Sequence, residues 1–226
     1  MTTKPAYTPP AQNFTLELAE EMRQRIVSLE FAPGSSLSRK ELQDHYGVSS
    51  TPVRDVLLRL QEDGLVEIFP QSRTVVSLID LEQARQVHFL RSSVERALVY
   101  QLALKPDPVL VSVLENIVLL QEKNAVSDLK TFAALDQRFH RELFASARLM
   151  HVYDVIRRES MHIDRIRALH LPVGDKVAQI LDDHRRIVDG VKLGDPEKAA
   201  KAMTLHLSQS IAIAGDLRDK MPAYFR

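Results

Sequence analysis

The chain has no cysteine among its 226 residues. That excludes disulfides and thiolate metal sites, and it agrees with a cytoplasmic protein. Long hydrophobic runs are missing as well. No apolar stretch reaches the ~18 residues of a membrane helix, so no membrane partner is expected. The opening MTTKPAYTPPAQN lacks the apolar core of a signal peptide. It is proline-rich and polar, and residues 1–13 are expected to form a flexible arm. Neither sign of charge is in excess, since 30 Lys and Arg meet 30 Asp and Glu. Residues 1–78 hold 8 Lys and Arg against 10 Asp and Glu. No whole-molecule field therefore announces a nucleic-acid partner. Any such binding must come from local arrangement, and it should be modest and salt-sensitive. What is abundant is apolar surface: 45% of residues are hydrophobic, enough for one large or two modest domains.

The most organised stretch is SRKELQDHYGVSSTPVRDVLLRLQEDGL, Ser38 to Leu65. Ser38 followed by Glu41 is a capping box that opens a short helix with Leu42 inward. Gly47 suits the helix end. Ser49 or Ser50 starts a second helix, and Pro52 fits its first turn. Val53, Val56, Leu57 and Leu60 then form one apolar stripe at helical spacing, closed by Gly64. Two helices joined by a glycine-containing turn make a helix-turn-helix. Leu65–Phe69 and Thr74–Leu78 are strand-like runs around a tip at Pro70-Gln71-Ser72-Arg73. The expectation is a winged helix over residues 14–78. An earlier helix, Leu16–Leu29, covers it with Leu18, Met22, Ile26 and Leu29. The segment FAPGSSL after it reads as a turn.

From Asp80 onward the pattern is wholly helical, with neither strand patterns nor repeats. Six segments follow: about Asp80–Leu104, Pro108–Asn124, Asp128–Ala147, Met150–His170, Asp175–Leu193 and Pro196–Asp219. Lys105-Pro106, Leu171-Pro172-Val173-Gly174 and Gly194-Asp195-Pro196 separate some of them. The expected fold is mostly α: an N-terminal winged helix-turn-helix, then an all-α antiparallel bundle over residues 79–226. Ile79-Asp80 leads directly into helix, so the two halves are expected to be rigidly coupled.

The bundle carries a polar group where apolar residues belong. Asp136 and His140 stand four apart in TFAALDQRFHRELF, on the face bordered by Phe132, Leu135, Phe139 and Leu143. His184 lies in the stripe Ile180, His184, Ile187, Val191. His206 lies in the row Met203, His206, Ser210, Ile213. One such histidine is more often a satisfied core residue than a ligand. Three inward histidines with an inward carboxylate need a common partner, and a divalent cation satisfies all four. Nitrogen and oxygen donors suit zinc, nickel, manganese or iron. His45, His88, His151, His162 and His170 read as surface or packing residues, with His88 near enough to line a cavity.

VSSTPVRDVLLRLQEDGLV resembles the recognition helix of GntR-type bacterial transcription regulators. FLRSSVERALVYQLA resembles the opening of the FadR-type (FCD) effector domain. There an Arg and a Glu stand four apart, here Arg91 and Glu95, and Asp136, His140, His184 and His206 match its metal-binding subset. The resemblance implies a homodimer on double-stranded operator DNA, most often a repressor, sensing a small carboxylate or sugar acid through the metal-containing domain. Arg91 would clamp the carboxylate; otherwise it is a surface ion pair with Glu95 worth a few tenths of a kcal/mol. Lys40, Ser50, Thr51, Arg54 and Arg73 would contact DNA. The family often has Arg where Ser50 stands, and Gly where Arg73 stands. An arginine at the tip either reaches the DNA or is strained by a positive φ. A metal-dependent hydrolase and an acyl-sensing regulator without metal are the alternatives.

Overall fold

The computed structural model describes residues 11–125, 127–172 and 174–226. Its two compact units divide between Leu78 and Ile79. The expected arm lies outside the described residues as far as residue 10, and residues 11–13 open the first helix, α1 (Ala11–Val27). Leu18, Met22 and Ile26 are buried, but Leu29 is not part of that stripe. The helix ends two residues before it, and Leu29 takes φ 67. The end is set by Phe31 N–H turning back to the Arg25 carbonyl at 3.1 Å, a closing bond that outranks helical spacing there.

In α2 (Arg39–Tyr46) the Ser38 side chain accepts the Glu41 N–H, and Gly47 follows in the left-handed region at φ 63. Next comes α3 (Ser50–Glu62), whose Val53, Val56, Leu57 and Leu60 are buried. Ser49 is its N-cap, although its side chain makes no capping hydrogen bond. The wing has three strands rather than two. β1 (Ser36–Leu37) pairs antiparallel with β3 (Arg73–Val76), which pairs in turn with β2 (Val66–Phe69). Two residues are too few to show alternation, so β1 was hidden in the expected turn. The positive φ at the wing tip falls on Gln71, at 56. Arg73 is an ordinary strand residue opposite Phe69, so no backbone strain rests on it.

The second unit contains eight α-helices among the described residues. They are α4 (Leu81–Leu104), α5 (Pro108–Asn124), α6 (Leu129–Ser146), α7 (Met150–Glu159), α8 (Met161–His170), α9 (Lys176–Lys192), α10 (Pro196–Ala212) and α11 (Ala214–Lys220). Aspartates start four of them: the side chains of Asp80, Asp107, Asp128 and Asp195 each accept a first-turn N–H. Two expected segments are split. Met150–His170 breaks at Ser160, which is fully buried and whose hydroxyl donates to the Ile156 carbonyl at 2.7 Å. Ser93 and Thr204 make the same bond to the carbonyl four residues back inside unbroken helices, so that bond does not by itself set the break. Pro196–Asp219 breaks at Ile213; no local residue type explains it.

Within this unit α10 packs on α4 and α9, and α5 packs on α6 and α9. The core they share includes Leu114, Phe132, Phe139, Leu143, Ile187, Val191 and Met203, all nearly inaccessible. Gly190 lets α9 and α10 approach closely. A Cβ there would sit 2.6 Å from the Ala199 backbone nitrogen, nearer than backbone atoms can yield cheaply. Gly190→Ala is expected to destabilise the unit by ~1–3 kcal/mol. A denaturant midpoint equal to the parent's would refute that packing constraint.

Candidate functional site

Three helices bring Asp136, His140, His184 and His206 together. Each offers one ligand atom, and these atoms all lie within 4.8 Å of one another. α6 supplies Asp136 and His140 one turn apart, α9 supplies His184 and α10 supplies His206. All four are at most 5% exposed. They face inward because the rest of each stripe is apolar and buried with them.

The outer ring atoms define how the imidazoles are held. His140 Nδ1 lies 2.5 Å from Glu95 Oε2, and His184 Nδ1 lies 2.8 Å from Gln121 Oε1. His206 Nδ1 is 3.7 Å from Asp183 Oδ2, an electrostatic contact rather than a hydrogen bond. Each acceptor favours the proton on Nδ1 and so leaves a lone pair on Nε2. The Nε2 atoms of His140 and His206 then face each other at 3.1 Å. His184 Nε2 lies 3.5 Å from Asp136 Oδ1, and both of those buried atoms lack a hydrogen-bond partner among the described residues. Opposed lone pairs and orphaned acceptors are what a cation between them would satisfy. The residues present therefore fit a divalent metal with imidazole and carboxylate donors.

Electrostatics agree. Burial works against charge on Asp136, yet the Arg167 guanidinium keeps its carboxyl far below the usual carboxylate range. Glu95 is likewise held low, with Arg91 and then His140 overriding the cost of burial. Burial pushes His184 well below the ordinary histidine value and lowers His206. Both are therefore neutral at pH 7, as metal ligands must be.

Arg91 is not a surface residue. It is 5% exposed, and its Nε donates to Glu95 Oε1 at 2.8 Å. Glu95, 1% exposed, thereby links the guanidinium to His140. Two clefts open beside the cluster. One is lined by His88, Arg91, Arg167, Lys176 and His206, the other by Arg91, Glu95, His140, Tyr153, Arg157 and Arg167. Sequence reasoning missed Gln121, Asp183, Arg167 and Lys176, and took Glu95 only as the partner of Arg91. Gln121 left a readable sign: it continues the stripe Leu114, Ile117, Val118 on α5, where an amide is out of place. His162, expected to be a surface or packing residue, is buried and accepts the Asp80 N–H at 3.1 Å.

In the first unit, Lys40, Ser50, Thr51, Arg54 and Arg73 are all exposed. Ser50, Thr51 and Arg54 lie at the start of α3, and Lys40 in the first turn of α2. Among the described residues Lys40, Arg54 and Arg73 make no ion pair, so their charges are open to a phosphate. The Arg73 guanidinium sits 5.3 Å over the Phe69 ring, a contact that steadies it at the wing.

Residues 14–76 match the family described as bacterial regulatory proteins, gntR family, and residues 86–209 match the FCD domain. An uncharacterized HTH-type transcriptional regulator in an unstable DNA locus of Streptomyces ambofaciens is 36% identical over 187 residues. The match covers 83% of this chain and 79% of that protein. The HTH-type transcriptional repressor RspR of Escherichia coli (strain K12) is 28% identical over 218 residues, covering 96% and 95%. Among solved structures, E. coli McbR/YncC superposes with a TM-score of 0.76 at 18% identity, over 90% of this chain and 97% of that one. At that identity the likeness is one of fold.

Proposed function

The chain belongs to the gntR family of bacterial regulatory proteins and carries an FCD domain, and on that premise we propose that it is a repressor whose operator affinity is set by a small carboxylate at a metal-containing site. Members of the family are transcription regulators, and the chain is not an enzyme. The repressor sign is supported by the name of the E. coli relative. The observation that carries the sensing half is the buried Asp136, His140, His184, His206 cluster with its facing lone pairs.

A divalent ion held by those four residues would offer open coordination to an anionic oxygen. The remaining work falls to the chain's own side chains. Arg91 and Arg167 border both clefts and present guanidinium N–H groups suited to a carboxylate. Glu95 holds Arg91 and His140 in one buried chain of contacts, so an anion drawn to Arg91 also acts on a ligand histidine. Clefts bordered by Arg91 and Arg167, one of them also by Lys176, do not suit a long acyl chain, which leaves such charges unpaired. In the first unit Arg54 is placed to read a base edge, while Lys40, Ser50 and Thr51 suit phosphates. A homodimer would set two such units on a palindromic operator. The effector can shift operator affinity only by its difference in affinity for the two states.

The test is a thermal-shift screen of small carboxylates, followed by operator titration with each hit. A hit should raise the melting temperature by binding the folded state and should lower operator affinity. If no acid shifts the melting point, or hits leave DNA affinity untouched, the sensing mechanism fails. In the same titrations Arg54→Ala is expected to weaken operator binding by ~1–3 kcal/mol. Unchanged affinity removes Arg54 from the interface.

A further inference from the structure

The cations of the cleft lined by Arg91, Arg167, Lys176 and His206 are unequally engaged. Arg91 pairs with Glu95, and Arg167 with Asp136. Lys176 enters from the first turn of α9 and is only 5% exposed. Its ammonium donates to the side-chain oxygen of Gln209, a neutral group, and makes no ion pair among the described residues. An ammonium has three donors, so capacity remains. Gln209 Nε2 donates in turn to Asp183 Oδ2 at 2.5 Å, which places the nearest carboxylate one side chain away. Burial, and then Arg167, lower Lys176 to about 8, so it is still mostly protonated at neutral pH.

Charge balance limits what this cleft accepts. Glu95, Asp136 and Asp183 offset Arg91, Arg167 and Lys176, with the ligand histidines neutral. A divalent ion at the cluster then adds two uncompensated charges in a buried place, which is costly. A monoanion cancels one of them and a dianion cancels both. We propose that Lys176 is a second anion-binding point of the cleft and that the effector is a small dianion, such as a diacid of few carbons. This rests on the metal-containing site proposed above.

The experiment uses the full chain loaded with zinc, its metal content measured, and calorimetric titration with matched acids of three to six carbons. Each straight-chain diacid is compared with the monoacid of equal length, for example succinate with butanoate. At least one diacid is expected to bind ~10-fold or more tighter than its monoacid, as an added buried charge pair allows. Lys176→Met should bring that ratio to within about twofold, the size of ordinary mutational scatter, and Lys176→Arg should keep the preference. A zinc-bearing parent that binds no diacid, or binds the pairs alike, overturns the proposal and leaves the metal site standing. So does a Lys176→Met variant that keeps the preference. A parent that holds neither zinc nor, on reloading, nickel, manganese or iron instead overturns the metal reading, and this inference with it.

Discussion

His184→Ala is expected to abolish binding of the divalent metal proposed for the cluster. His184 contributes Nε2, a buried atom with no hydrogen-bond partner among the described residues, 3.5 Å from Asp136 Oδ1. Its ring is stacked on Phe139, with centroids 3.9 Å apart and planes within 5°, which fixes the direction of Nε2. Losing an outer partner of a metal ligand typically weakens binding ~10–100-fold, and losing the ligand itself should exceed that. The variant should purify with metal well below one ion per chain. Chelator should lower the parent's melting temperature but not the variant's, because a ligand that binds only the folded state contributes stability by mass action. Gln121→Leu gives the graded comparison. Gln121 is fully buried and holds His184 Nδ1 at 2.8 Å. Its loss should weaken metal binding by the ~10–100-fold of an outer partner while leaving all four ligands in place. Equal metal content in parent and His184→Ala would remove the site.

Glu95→Ala should produce the largest loss of stability. The carboxylate is 1% exposed and serves two buried groups at once, Arg91 Nε at 2.8 Å and His140 Nδ1 at 2.5 Å. Removing it strands a guanidinium that is itself 5% exposed. Breaking a buried pair by deleting one partner costs ~3–5 kcal/mol, chiefly because the survivor keeps its desolvation penalty. Replacing both members as Arg91→Met with Glu95→Leu should recover most of that loss. The excess of the single over the double variant then separates a stranded charge from lost packing. Denaturant titration at constant slope checks it. A single-variant loss under ~1 kcal/mol would show that the pair is solvated, as ordinary surface pairs are.

The sequence by itself determined the local elements and the residue types. Ser38 with Glu41, Gly47 and the Val53, Val56, Leu57, Leu60 stripe specify the helix-turn-helix through bonds and contacts a few residues apart. Asp136 and His140 share a face because a helix turn spans 3.6 residues, and His184 and His206 stand where their neighbours are apolar. Local rules ran out where distant groups decide. The strand β1 exists because β3, far along the chain, lies beside it. Only the tertiary structure brought α6, α9 and α10 close enough for four ligand atoms to fall within 4.8 Å. The same packing buried the Arg91 and Glu95 pair and made it a support for His140, and it placed Gln121, Asp183, Arg167 and Lys176 around the site. Sequence spacing orients a side chain on its own helix, but how charges pair across helices depends on distances that no single helix contains.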